Sequence, residues 1–153
     1  MTKSFGSDNN SGVHPNIMDA LVKANSGHAI GYGDDEFTRM AENKFKQLFG
    51  YDIDIYFVFS GTAANVISLS TICEPFHSII CSDTSHIHVD ECGAPERFTG
   101  SKLIPVKTKN GKLTTELIEP YLVGFDFEHH SQPHIISITQ SSVLGSVYQP
   151  NEI

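Results

Sequence analysis

The chain has 153 residues, 39% hydrophobic and 18% charged, with 18 acidic against 10 basic side chains and a net charge of −8. One domain with a real core fits that length, while the acidic balance excludes the clustered Lys/Arg footprint that nucleic acid or an anionic membrane requires. No apolar run approaches the roughly 20 residues of a membrane span, the start lacks a signal-peptide core, and an odd three cysteines without a C-x-x-C (Cys73, Cys81, Cys92) fit a reduced, cytoplasmic chain.

The first residues are polar and read as an arm, residues 1–14. Pro15 opens a helix whose Ile17, Met18, Leu21 and Val22 share a stripe, and Asn25-Ser26-Gly27 ends it. Gly31-Tyr32-Gly33 is a turn, after which Asp34 is expected to cap a second helix. Asp35 and Glu36 then fall in its first turn. Phe37, Met40, Ala41, Phe45, Leu48 and Phe49 keep a 3.6-residue period up to Gly50. The aromatic, β-branched run Asp54–Phe59 predicts a strand, Ser60-Gly61-Thr62 breaks it, and Ala63–Cys73 predicts a helix. Ser78–Cys81 reads as a short buried strand. Leu103–Lys107 reads as an edge strand, because Pro105 cannot donate to a ladder. Asn110-Gly111 is a turn, Thr114–Leu122 a helix, and His134–Ile138 the last strand. Apolar strands alternating with helices indicate an α/β class with a mainly parallel sheet.

Two segments carry chemistry. Ser60-Gly61-Thr62 stands between a predicted strand and a helix. A helix N-terminus offers unpaired amides and partial positive charge, glycine lets a ligand approach, and two hydroxyls add donors, so the site suits a phosphate. A capped helix after a strand has the same composition. The segment is neither a Walker loop nor a G-x-G-x-x-G fingerprint. The second segment runs from Asp83 to Ala94 after a predicted strand, where open α/β sheets place ligand groups. An imidazole here suits ring stacking or proton exchange. The plain alternative is a polar turn. A metal reading draws on His86 and His88 with Asp90 or Cys92, but their spacing matches no strong zinc pattern.

These pieces, in order, resemble the pyridoxal-phosphate-dependent threonine aldolase and β-eliminating lyase family. They are Ser7-Asp8, Tyr32-Gly33-Asp34-Asp35, Ser60-Gly61-Thr62-Ala63-Ala64-Asn65, Ser85-His86, Glu91, Gly93-Ala94 and the stretch from Ile136-Ser137-Ile138 to Pro150. The resemblance implies a three-layer, fold-type-I large domain with residues 15–153 as its first half. It implies that Gly61 and Thr62 hold the cofactor phosphate, with Ser60 and Asn65 near. His86 would stack on the pyridine ring and act in catalysis, and Ser7, Tyr32 and Glu91 would face the substrate. Ser7 would take the amino-acid carboxylate.

The implied reaction cleaves a β-hydroxy-α-amino acid to glycine and an aldehyde, in a cytoplasmic homo-oligomer, dimer or tetramer. The family's histidine after the last strand is replaced by Thr139-Gln140-Ser141-Ser142, which leaves the base unassigned. His129 and His130 do not match that position. The cofactor-bearing lysine and the Asp-x-Ala-Arg segment of the family lie further along than Ile153, and Lys102 matches neither, so the chain reads as an N-terminal portion. Alternatives from other classes are another β-eliminating lyase or aminotransferase-like enzyme, a non-catalytic remnant, and a metal enzyme using His86 and His88.

Overall fold

The structure, a computed structural model, describes Ser4 and residues 6–153. It divides into two compact units, Met1–Tyr56 and Phe57–Ile153. In the first unit, helix α1 (Pro15–Ala24) begins on proline, and His14 Nδ1 accepts from the Asn16 amide at 3.2 Å. Helix α2 (Glu36–Phe49) starts one residue later than the sequence reading placed it. Its cap is Asp35, not Asp34. Asp35 accepts from the Thr38 amide at 2.8 Å and from the Thr38 hydroxyl at 2.6 Å. Thr38 is three residues beyond Asp35, which is the spacing a side-chain cap needs. These two bonds hold the Asp35 carboxyl below its ordinary value.

The clearest departure from the sequence reading falls on the last residues of the first unit and the first of the second. Residues 53–58 form no strand, and Tyr56 and Phe59 are 79% and 105% exposed. A strand needs a ladder partner for its amides and carbonyls. Among the described residues, none pairs with this segment.

Helix α3 (Gly61–Ile72) follows, and then strand β1 (His77–Ser82), helices α4 (His86–Val89) and α5 (Ala94–Thr99), strand β2 (Lys102–Val106), helix α6 (Thr115–Ile118) and strand β3 (Gln132–Ser137). The expected helix over Thr114–Leu122 is α6 continued by a 3-10 turn, Glu119–Tyr121, because Pro120 cannot extend the α-helical ladder. The three strands are parallel in the order β2-β1-β3, so β2 is an edge strand, as Pro105 requires. The central strand is apolar on both faces, and its side chains alternate between them. Ile79 and Cys81 join Leu69 and Cys73 of α3, Ile87 of α4 and Leu103 of β2. Ile80 joins Val106, Leu113 and Ile118 on the other face. Helix, sheet and helix therefore make three layers.

The carboxyl end of the sheet is tied by Asp83. Its Oδ1 accepts from the Thr108 amide at 3.1 Å and from the Thr108 hydroxyl at 2.9 Å, so the loop after β1 holds the loop after β2. Partial burial pushes the Asp83 carboxyl up, but the Thr108 and Ser82 bonds outweigh it and hold it below its ordinary value. A carboxyl depressed on folding stabilises fully above its unfolded value, and that contribution disappears as pH falls through the folded value. Denaturant melts at about pH 5, 4 and 3 are therefore expected to show a steeper acid loss for the native chain than for Asp83→Asn. Parallel acid limbs would contradict this role for Asp83.

Candidate functional site

Helix α3 begins abruptly, and the reason is local. Ser60 is extended, and its Oγ accepts from the Ala63 amide at 3.2 Å while its carbonyl accepts from Ala64 at 3.1 Å. The Gly61 and Thr62 amides then have no partner within the described residues. They are the orphan donors of a helix start, at its positive end. A Cβ built on Gly61 would meet nothing within 4 Å, so this side of the helix start is open.

His86 opens α4, immediately after the turn that leaves β1. Its side chain is 51% exposed. It lines a cleft of about 440 Å³ together with Gly61, Asn65, Ser137, Thr139 and Ser141. The sheet positions this cleft, since β1 and β3 run parallel and deliver His86 and Ser137–Ser141 from their carboxyl ends.

Behind His86 lies Glu91, whose side chain is 0% exposed. Its Oε1 sits 2.7 Å from His86 Nδ1 and accepts from Asn65 Nδ2, also at 2.7 Å. Its Oε2 is buried with no hydrogen-bond partner among the described residues. Glu91, read from the sequence as a substrate-side residue, is thus behind the cleft, spent on two neighbours. Asn65 does line the cleft, with its amide nitrogen committed to Glu91.

The loop after β3 completes the wall. Both ends of the Gln140 amide are engaged: Nε2 donates to the Tyr148 carbonyl and Oε1 accepts from the Tyr148 amide, both at 2.9 Å. The Ser146 hydroxyl donates to the Asn110 carbonyl at 2.7 Å, and the Tyr148 hydroxyl accepts from the Leu113 amide at 2.7 Å. Gly111 has φ +77°, and a Cβ there would lie 3.0 Å from Ser142 Oγ, so this loop packs closely only against glycine. Thr139 and Ser141 reach the cleft with hydroxyls that bond nothing within the described residues. Sequence reasoning gave them no role. Their signal was position, directly after the carboxyl end of a buried strand.

Ser7 and Tyr32 belong to the first unit. Ser7 Oγ accepts from the Asn9 amide at 3.2 Å, and Tyr32 is fully exposed with φ +67°. His129 and His130 precede β3, at the end of the strand away from the cleft. Lys102 starts the edge strand β2, and among the described residues no lysine lines the cleft. Among the same residues no three His, Cys, Asp or Glu side chains converge to hold a metal. His86 and His88 are two apart on a short helix and do not share a face.

These residues fit pyridoxal phosphate: orphan amides at an open helix start accept an anion, and Gly61 and a half-exposed imidazole line the same cleft.

A three-layer α/β unit with a helix start and an imidazole on one cleft defines the open-sheet class, which places ligand groups at the carboxyl ends of its strands. The sequence pattern of the β-eliminating lyase family matches residues 4–153, and the chain belongs to that family. It is 44% identical over 153 residues to the low-specificity L-threonine aldolases of a Pseudomonas species and of Pseudomonas aeruginosa, covering 99% of this chain and 44% of each relative. A probable low-specificity L-threonine aldolase of Schizosaccharomyces pombe is 33% identical over 87% of this chain. The solved structure of Leishmania major threonine aldolase superposes with a TM-score of 0.86 at 31% identity, over 93% of this chain and 42% of that one. The α/β, mainly parallel fold expected from the sequence is the fold present, and the chain spans less than half the length of the relatives it matches.

Proposed function

We propose that this chain carries the phosphate cradle and ring-stacking part of a pyridoxal-phosphate-dependent lyase that cleaves a threonine-like β-hydroxy-α-amino acid to glycine and an aldehyde. The observation that carries this is the shared cleft, with Gly61 at the open start of α3 and His86 on one wall. The Gly61 and Thr62 amides and the Thr62 hydroxyl hold the phosphate, with Ser60 and Asn65 beside them. The His86 ring lies against the pyridine, and its free nitrogen exchanges protons with the substrate. Ser7 and Tyr32 serve the substrate side, Ser7 through the amino-acid carboxylate. When bound, the cofactor supplies the electron sink for the carbanion left by Cα–Cβ cleavage.

The family depends on pyridoxal phosphate. No helix among the described residues is long and apolar enough to cross a membrane. Free Cys73, Cys81 and Cys92 fit a reducing cytoplasm. Exposed apolar side chains such as Ile17, Leu21, Leu48 and Phe59 fit a homo-oligomer.

Titration of the protein with pyridoxal phosphate tests the reading. Saturable uptake, seen as a visible absorbance with induced circular dichroism, is expected. Because among the described residues no lysine lines the cleft, borohydride is expected to trap the cofactor on no single lysine of residues 57–153 in step with that saturable uptake. Absence of saturable uptake sinks the proposal.

A further inference from the structure

We propose that Glu91 is a positioning residue that locks His86 in one tautomer and holds it in register with the phosphate cradle. The proposal rests on the reading of His86 as the ring-stacking, proton-exchanging group. It concerns Glu91, which that reading places nowhere in contact with cofactor or substrate.

The local chain explains how Glu91 gets behind His86. Helix α4 lasts one turn and ends at Asp90, whose amide donates to the His86 carbonyl at 2.9 Å. Cys92 and Gly93 then adopt left-handed φ values of +51° and +71°. This reversal leaves Glu91 inside, with its side chain fully buried.

One carboxylate oxygen then meets two partners. A carboxylate only accepts hydrogen bonds. Asn65 Nδ2 donates to Glu91 Oε1, so the ring nitrogen 2.7 Å from the same oxygen must donate as well. His86 therefore carries its proton on Nδ1 when neutral. Its lone pair is on Nε2, the nitrogen not occupied by Glu91. A proton accepted at Nε2 would form a cation whose Nδ1 side already faces an anion in a buried setting, where such a bond is strong.

The second consequence is register. Asn65 belongs to the first turns of α3, whose start offers the Gly61 and Thr62 amides. His86 belongs to α4. A single oxygen bonds both, so the spacing between phosphate donors and stacking ring is set by Glu91 rather than by either helix alone.

The test is nitrogen-detected magnetic resonance of histidine-labelled protein, with the His86 signals identified by their loss in His86→Gln. The native protein is expected to show His86 almost wholly in the Nδ1–H form before any cofactor is added. Glu91→Gln retains an acceptor of the same shape and is expected to keep that pattern. Glu91→Leu removes it and is expected to shift His86 toward a mixture dominated by the Nε2–H form. Pyridoxal phosphate affinity in Glu91→Leu is expected to fall about tenfold or more. Should Glu91→Leu not fold, Glu91→Asp, one methylene short of the ring, takes its place with the same expected shift.

A native His86 that is already mixed or Nε2–H overturns the proposal. So does an unchanged Nδ1–H pattern in a cooperatively melting Glu91→Leu. Cofactor uptake with no tautomer control would defeat this proposal alone. Tautomer control without uptake would defeat the cofactor reading alone.

Discussion

Gly61→Asp is expected to fold at least as well as the native chain and to lose pyridoxal phosphate. Gly61 is the first residue of α3, where a carboxylate is favoured by the helix dipole by about 0.3–1 kcal/mol. The added Cβ meets nothing within 4 Å, and Gly61 does not need a left-handed φ. The same carboxylate would stand where the phosphate must sit. Two unit charges about 4 Å apart repel by about 1 kcal/mol in water and about 4 kcal/mol near a protein surface. A phosphate carries about −1.5 to −2, so affinity is expected to fall by about tenfold to beyond a thousandfold. Fold and ligand therefore respond with opposite sign, which an ordinary damaging substitution cannot mimic. Parallel thermal melts and cofactor titrations, with Gly61→Ala as the steric control, read both. Unimpaired uptake in Gly61→Asp would place the phosphate somewhere other than the start of α3.

Ile79→Ala is expected to destabilise the chain by about 2–5 kcal/mol. Ile79 is 0% exposed on the central strand and packs with Leu69, Cys73, Ile87 and Leu103. It therefore joins the α3 layer to the sheet, and the cavity left by truncation lies between them. A domain typically has only about 5–15 kcal/mol in total, so the loss is large. A lowered urea midpoint at unchanged slope is the measure. Phe59→Ala removes a larger side chain, but one that is fully exposed, and it is expected to change stability by no more than about 0.5 kcal/mol. A cost below about 1 kcal/mol for Ile79→Ala would mean that the two layers are not held as described.

Much of this was legible in the residues because it is local. Pro15 and Gly50 bound their helices, Ser60 caps α3, and Pro105 assigns β2 to an edge. Each rests on one residue's own geometry or donors. Two errors show where that ends. Asp34 and Asp35 are equally good caps by type, and only the Thr38 contacts choose between them. The run 54–59 has strand composition, but composition does not supply a ladder partner.

The sequence by itself determined the family, the α/β class, a helix following Ser60-Gly61-Thr62 (though read from Ala63 rather than Gly61) and the candidate imidazole, because these are written in short segments whose periodicity, caps and motifs act over a few residues. Only the tertiary structure decided that Asn65, His86 and Glu91 share one oxygen, and that Thr139 and Ser141 close the cleft while Gln140 braces its loop. It also buried the Glu91 side chain against His86 and Asn65. Asn65 and Glu91 are 26 residues apart. Such contacts arise from the parallel pairing of β1 and β3 and the packing of α3, which no local pattern encodes.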